Sequence, residues 1–212
     1  MRSEETAVTR VGRAKLPTEH GTFAVYAYVD PAEGEHLALV FGTPEPDRPV
    51  PVRLHSSCVT GDVFASLRCD CGQQLDEAIR RITDAGAGVV LYLDQEGRGI
   101  GLANKIRAYE KQDAGYDTVD ANTTLGFEAD QREYSPAAHI LDDLGVTYAE
   151  LLTNNPRKAE ALRGLGVKVD RVPLQVPSNP HNRAYLATKV QRLGHRFEAP
   201  TSDGEPSPPA EA

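Results

Sequence analysis

Residues 88–112 read GVVLYLDQEGRGIGLANKIRAYEKQ, and the residue pattern changes twice within them. Gly88 to Leu93 is a short unbroken apolar run, the pattern of a strand buried on both faces. Asp94 to Leu102 places glycines at 97, 99 and 101, and Ala103 to Gln112 is a run of helix formers. A strand, a glycine-rich turn and a helix in this order make one α/β unit. Such a turn either aims backbone N–H groups at an anion, with Arg98, Lys105 and Arg107 adding charge, or simply needs glycine for its backbone angles. The spacing is neither a Walker A sequence nor G-x-G-x-x-G, so the two readings stand level.

Upstream, Gln73 to Ala85 (QQLDEAIRRITDA) repeats Leu75, Ala78, Ile79 and Ile82 at helical spacing, giving an apolar face to pack on a sheet. Before it, Thr60-Gly61-Asp62 predicts a short helix through Leu67. Residues 22–29 (TFAVYAYV), 35–41 (EHLALVF) and 50–55 predict three strands in an antiparallel array, with Asp30 to Gly34 as the first turn. Residues 1–22 are polar and charged and read as a mobile lead-in. Downstream, Gly115 to Asn122 and Gly126 to Tyr134 show no helical or strand period. A helix from Ser135 to Leu144 follows, with Ser135 as its cap. Then come a strand from Val146 to Leu152, a turn at Thr153 to Pro156, a helix from Arg157 to Leu165, a strand from Val167 to Val176 and a helix from Arg183 to Leu193. That last helix sets Leu186, Val190 and Leu193 on one face. The chain is therefore expected to be α+β or mixed α/β: a single compact unit with antiparallel N-terminal strands and a helix-flanked mixed sheet. Its expected divisions are a flexible N-terminus at 1–13, a catalytic domain at 14–198 and a disordered proline-rich tail at 199–212.

The 212 residues contain three cysteines, all in the C-x10-C-x-C segment Cys58 to Cys71 (CVTGDVFASLRCDC). No apolar stretch before them reads as a secretory signal, so the thiols are expected to be reduced and the protein cytoplasmic. Three clustered thiolates suit zinc. Without a fourth protein ligand the site is open, and its water would be acidified towards hydroxide. His55, three residues ahead, could instead close it. Buried, chemically silent cysteines are the remaining alternative. The net charge of -8 and the absence of any membrane-length apolar run argue against nucleic-acid or membrane partners. An anionic small ligand then needs local basic clusters. Thr153, Arg157 and Lys158 at a helix start offer a second one, beside the ordinary reading of a solvated basic helix end.

Four segments, HSSCVTGDVFASLRCDCGQQL at 55–75, QEGRGIGLANKIRAYEKQDAGYDTVDAN at 95–122, LGFEADQREY at 125–134 and TNNPRKAE at 153–160, together resemble GTP cyclohydrolase II. The likeness runs from Ala14 to His195. It implies hydrolysis of GTP to 2,5-diamino-6-(5-phosphoribosylamino)pyrimidin-4(3H)-one with loss of formate and pyrophosphate, the entry step of riboflavin biosynthesis. It implies one zinc per subunit on Cys58, Cys69 and Cys71, magnesium with the triphosphate, and a homodimer without the synthase domain fused to some relatives. Arg53, Leu54, His55, Ser56 and Ser57 match a GTP-contacting strand. Gln74, Glu96, Gly97, Arg98, Thr118, Thr153 and Lys158 match further GTP contacts. Asp130 matches a proton acceptor, Arg132 a nucleophile on the α-phosphate, and Tyr109 a tyrosine of the zinc-side chemistry. A guanidinium is protonated at any working pH, so electrostatic stabilisation by Arg132 is the easier chemistry. Ser57 stands where the family commonly has Glu, and Asp94 where it commonly has Arg. A relative that opens the imidazole ring but retains the formyl group, and a non-catalytic nucleotide-binding regulator with a closed zinc site, are the competing readings.

Overall fold

The computed structural model describes residues 8–45 and 48–196. The expected tail at 199–212 and the first seven residues of the lead-in lie outside them. From Thr9 onward the lead-in is corrected: β1 (Thr9–Thr18) is a full strand, antiparallel to β2 (Gly21–Val29), which pairs in turn with β3 (Glu35–Phe41). Every residue of β1 is exposed. Backbone pairing rather than an apolar face holds this strand, so it carries no alternation for a sequence reading to find.

The third strand, β4 (Val50–Ser56), forms where expected but is not part of the antiparallel array. After it come α1 (Val59–Asp62), shorter than the predicted helix, α2 (Cys71–Asp84) and β5 (Gly88–Leu93). It is β5 that pairs antiparallel with β3, and β4 lies on its far side, parallel to it. The helical link between β4 and β5 is long enough for a crossover, and β4 is buried on both faces, as parallel strands are.

The chain continues through α3 (Gly101–Asp113), α4 (Thr118–Thr124), α5 (Ser135–Asp143), β6 (Tyr148–Leu152), α6 (Pro156–Gly164), β7 (Lys168–Val172) and α7 (Arg183–Leu193). The seven strands form one sheet in the order β1-β2-β3-β5-β4-β6-β7, with β5, β4, β6 and β7 mutually parallel. Side chains of β5 alternate between two cores. Val89, Leu91 and Leu93 pack with Ile140 and Leu141 of α5 and Leu162 of α6, while Val90 packs with Ala78 and Ile82 of α2.

Three further expectations change. Residues 115–122 were read as irregular, but α4 forms there, with the Asp117 carboxylate accepting the N–H groups of Val119 and Asp120. Seven residues are too few to display a period, and the cap satisfies the first N–H groups of the helix. Ser135 is the first residue of α5 rather than its cap, and Pro136 occupies the opening turn. On α7 the buried face carries Lys189 with Leu193, whereas Val190 is 48% exposed. Among the described residues no helix is long and apolar enough to cross a membrane.

Candidate active site

The carboxyl ends of β4, β5 and β6 open into one pocket, the usual place for a ligand beside parallel strands. One part of it is the thiol cluster. The sulfurs of Cys58, Cys69 and Cys71 lie within 4.8 Å of one another, a separation that suits one tetrahedrally bound ion. Cys58 sits between β4 and α1, while Cys71 opens α2. Gly61 faces all three: a Cβ there would lie 2.9 Å from the Cys69 sulfur and 3.2 Å from that of Cys58. Hydrogen bonds from Cys69 and Cys71, with the Lys105 ammonium 3.1 Å away, keep Cys58 as thiolate. Lys105 also donates to Glu96 at 2.8 Å, and the other Glu96 oxygen accepts the Val59 N–H at 2.7 Å.

His55 is turned away from the cluster. Its Nε2 lies 3.0 Å from both oxygens of the Asp62 carboxylate, which also accepts the Tyr92 hydroxyl and the Cys58 N–H. Burial outweighs the Asp62 hydrogen bond and lowers its pKa, so the imidazole is neutral and its Nδ1 is left as an acceptor towards Arg53. Arg53 donates to Gln74 at 2.8 Å and Gln74 to Asp70 at 2.6 Å, and Asp70 accepts Lys189. A buried polar relay therefore joins β4, α2 and α7 beneath the pocket. Burial lowers the Arg53 pKa to about 10, which leaves the guanidinium charged at neutral pH.

The pocket also gathers Ser56, Ser57, Gln74, Glu96, Gly97, Arg98, Tyr109, Thr118, Arg132, Thr153 and Lys158. Two expected residues do not face it. Leu54 is wholly buried and contributes only its carbonyl, which accepts the Lys158 ammonium at 2.7 Å. Asp130 stands behind Arg132, bound to it by paired hydrogen bonds of 2.8 and 2.6 Å. Burial works against the Asp130 carboxylate, but Arg132 prevails and its pKa ends below the usual value. Tyr109 lies at the thiol side, its hydroxyl 3.3 Å from Thr60, and burial raises its pKa so that it stays protonated.

Two amides of the glycine-rich turn, those of Gly97 and Gly99, are already taken within the turn and are not free for an anion. Gly97 donates to its neighbour Glu96, and Gly99 to the carbonyls of Gln95 and Glu96. Glycine is required at 97 because its φ is 63° and a Cβ would meet Ile100 at 2.9 Å. Arg98 is itself left-handed, at φ 66°, and its Nη1 is buried without a partner, as is the Nε of Arg53. The turn thus contributes side chains. Of the basic residues read from sequence, Arg107 and Arg157 are exposed and outside the pocket. Ser57 accepts the Gln95 N–H at 3.1 Å, while Asp94 is exposed on a neighbouring shallow hollow. The sequence reading missed Asp62, Asp70, Tyr185, Lys189 and His195. Asp62 and Asp70 lie within the cysteine segment itself, and the presence of carboxylates beside metal ligands was the available signal.

Fold and pocket together define a mixed α/β enzyme with a cysteine cluster and a cationic ligand site at the ends of its parallel strands. A family model described as GTP cyclohydrolase II matches residues 9–173. A GTP cyclohydrolase-2 of Azotobacter vinelandii is 57% identical over 191 residues, 89% of this chain and 92% of that protein. One from Shewanella baltica is 54% identical, covering 89% of this chain and 94% of its own. A riboflavin biosynthesis protein RibBA of Bacillus velezensis is 55% identical over 90% of this chain but only 48% of its own length. The chain belongs to the GTP cyclohydrolase II family and is a hydrolase.

Proposed function

We propose that the protein is a zinc-dependent GTP cyclohydrolase II that converts GTP to 2,5-diamino-6-(5-phosphoribosylamino)pyrimidin-4(3H)-one, formate and pyrophosphate, opening riboflavin biosynthesis. The observation that carries this reading is a single pocket that joins three clustered thiols to two arginines, each with a buried nitrogen that has no hydrogen-bond partner. Cys58, Cys69 and Cys71 would hold the zinc, and His55, already taken by Asp62, leaves the set at three. Zinc bound there would supply an acidified water for hydrolysis at the carbon between the two imidazole nitrogens of guanine. Tyr109, protonated beside the cluster, offers a hydrogen bond to that centre.

Arg53, Arg98, Arg132 and Lys158 suit the triphosphate, with magnesium travelling on the phosphate oxygens. Arg132 stays protonated against Asp130, so its part at the α-phosphate is to stabilise developing charge, and Asp130 orients it. Thr153, just after β6, and Thr118, the first residue of α4, add hydroxyls to the pocket. A homodimer is part of the same reading and is checked by light scattering, which should show twice the 23.0 kDa of one chain.

The test is to incubate the purified protein with GTP, zinc and magnesium and quantify formate, pyrophosphate and the nucleotide product in one sample. Equal formate and pyrophosphate with the diaminopyrimidine is the expected outcome. A product that keeps its formyl group would assign the ring-opening reaction instead, and unchanged GTP would leave a binding protein.

A further inference from the structure

The family model ends at residue 173, yet Tyr185, Lys189 and His195 also line the pocket. All three come from α7 and the turn that ends it. Gly194 closes the helix in the left-handed conformation (φ 68°), and the chain then folds back so that the His195 N–H reaches the Lys189 carbonyl at 3.0 Å. The next N–H, of Arg196, is held by the Asn154 carbonyl at 2.9 Å. That bond fastens the turn to the β6–α6 loop, which brings Thr153 and Asn155 to the same pocket. Further down the helix, Lys189 is paired with Asp70 and Arg192 with Asp117 and Asp120. The segment is anchored on three sides.

The charges around His195 come from several elements. Lys189 lies on its own helix, Arg98 on the turn after β5, Arg132 on the stretch before α5 and Lys158 on α6. Two carboxylates stand behind them, Asp70 on Lys189 and Asp130 on Arg132. Lys158 donates to a backbone carbonyl, and one Arg98 nitrogen has no partner. Tyr185, uncharged, lies beneath Lys189 with its ring centroid 4.6 Å from the ammonium. Burial and these four cations hold the imidazole neutral, its pKa pushed down to about 2. A polyphosphate in the pocket reverses that balance, since its charge offsets the cations and its oxygens favour an imidazolium donor.

We propose that His195 is a further ligand of the triphosphate, supplied by the C-terminal turn, and that it takes up a proton as the polyphosphate binds. The inference rests on the reading of the pocket as a GTP site. In this arrangement α7 completes a site whose other residues all lie within the family-model span.

Inorganic tripolyphosphate is the probe, so that purine recognition does not contribute. It is titrated into the whole protein at pH 6.5 and pH 8.5, with binding followed calorimetrically in two buffers of different ionisation enthalpy. The imidazole proton resonance of His195 is followed by NMR in the unaltered protein. The expected result is a shift of that resonance to the imidazolium position on binding. For H195Q, affinity should fall by about tenfold at pH 6.5 and by roughly twofold at pH 8.5, with less proton uptake than in the parent. Tripolyphosphate binding with an unmoved resonance and equal affinities would overturn the role of His195 while leaving the pocket assignment intact. Failure of both tripolyphosphate and GTP to bind the unaltered protein would overturn the pocket assignment and the inference with it.

Discussion

A methyl group on Gly61 would sit 2.9 Å from the Cys69 sulfur, inside the space the three thiols share. Gly61→Ala should therefore fold, because its backbone is helical, yet hold zinc about 10- to 100-fold more weakly in competition with a chromophoric chelator. Cys69→Ser removes a ligand outright and should abolish both metal retention and formate release. If formate release survives, the ligand assignment is wrong. At the phosphate side, Arg132→Ala should lower pyrophosphate release by roughly 100- to 1000-fold, with Arg132→Lys recovering part of it because the charge returns. Asp130, held below its usual pKa, contributes stability that is present above pH 3.8 and lost as pH falls through its folded value. Asp130→Asn should accordingly melt below the parent at pH 6, and the gap should narrow in acid. The cysteine trio was legible because its members are close in sequence. The partner of His55 was not, since Asp62 competes for that role with every other polar residue until the chain is folded.

Among the elements, α7 separates two kinds of ion pair. Lys189 and Asp70 are both buried, so Lys189→Met strands a carboxylate and should cost roughly 3 kcal/mol or more, a fall in Tm of about 6 °C or more. Arg192 pairs with Asp117 and Asp120 at the surface, and Arg192→Ala should move Tm by no more than about 2 °C in the same thermal scan. A Leu186, Val190 and Leu193 stripe was the natural sequence reading of this helix. It partly failed because Lys189 is buried against a carboxylate, and that carboxylate, Asp70, is 119 residues away. Strand β1 was missed for the opposite reason: it buries nothing, so pairing with β2 is its sole signature. By contrast β5, read from a continuous apolar run, and α7 appear with the bounds read from the sequence.

Over the whole molecule, a net charge of -8 surrounds a pocket in which Arg53, Arg98, Arg132, Lys158 and Lys189 converge. Long-range repulsion of GTP is thus opposed by local attraction. Because salt ions screen the attraction of these cations for the triphosphate, KM for GTP should rise by about threefold or more between 0.05 and 0.5 M salt, with kcat little changed, in steady-state assays. The sequence by itself determined what is local: the thiol trio within fourteen residues, the strand-turn-helix units downstream of it, and the glycines of the 97–101 turn. Those depend on neighbours along the chain, and spacing expresses them directly. Only the tertiary structure decided that β5 lies between β3 and β4, that the turn contributes side chains to the pocket, and that α7 brings Lys189 and His195 to the site. Apolar periodicity shows that a face must be buried, but it carries no address for the surface that will cover it.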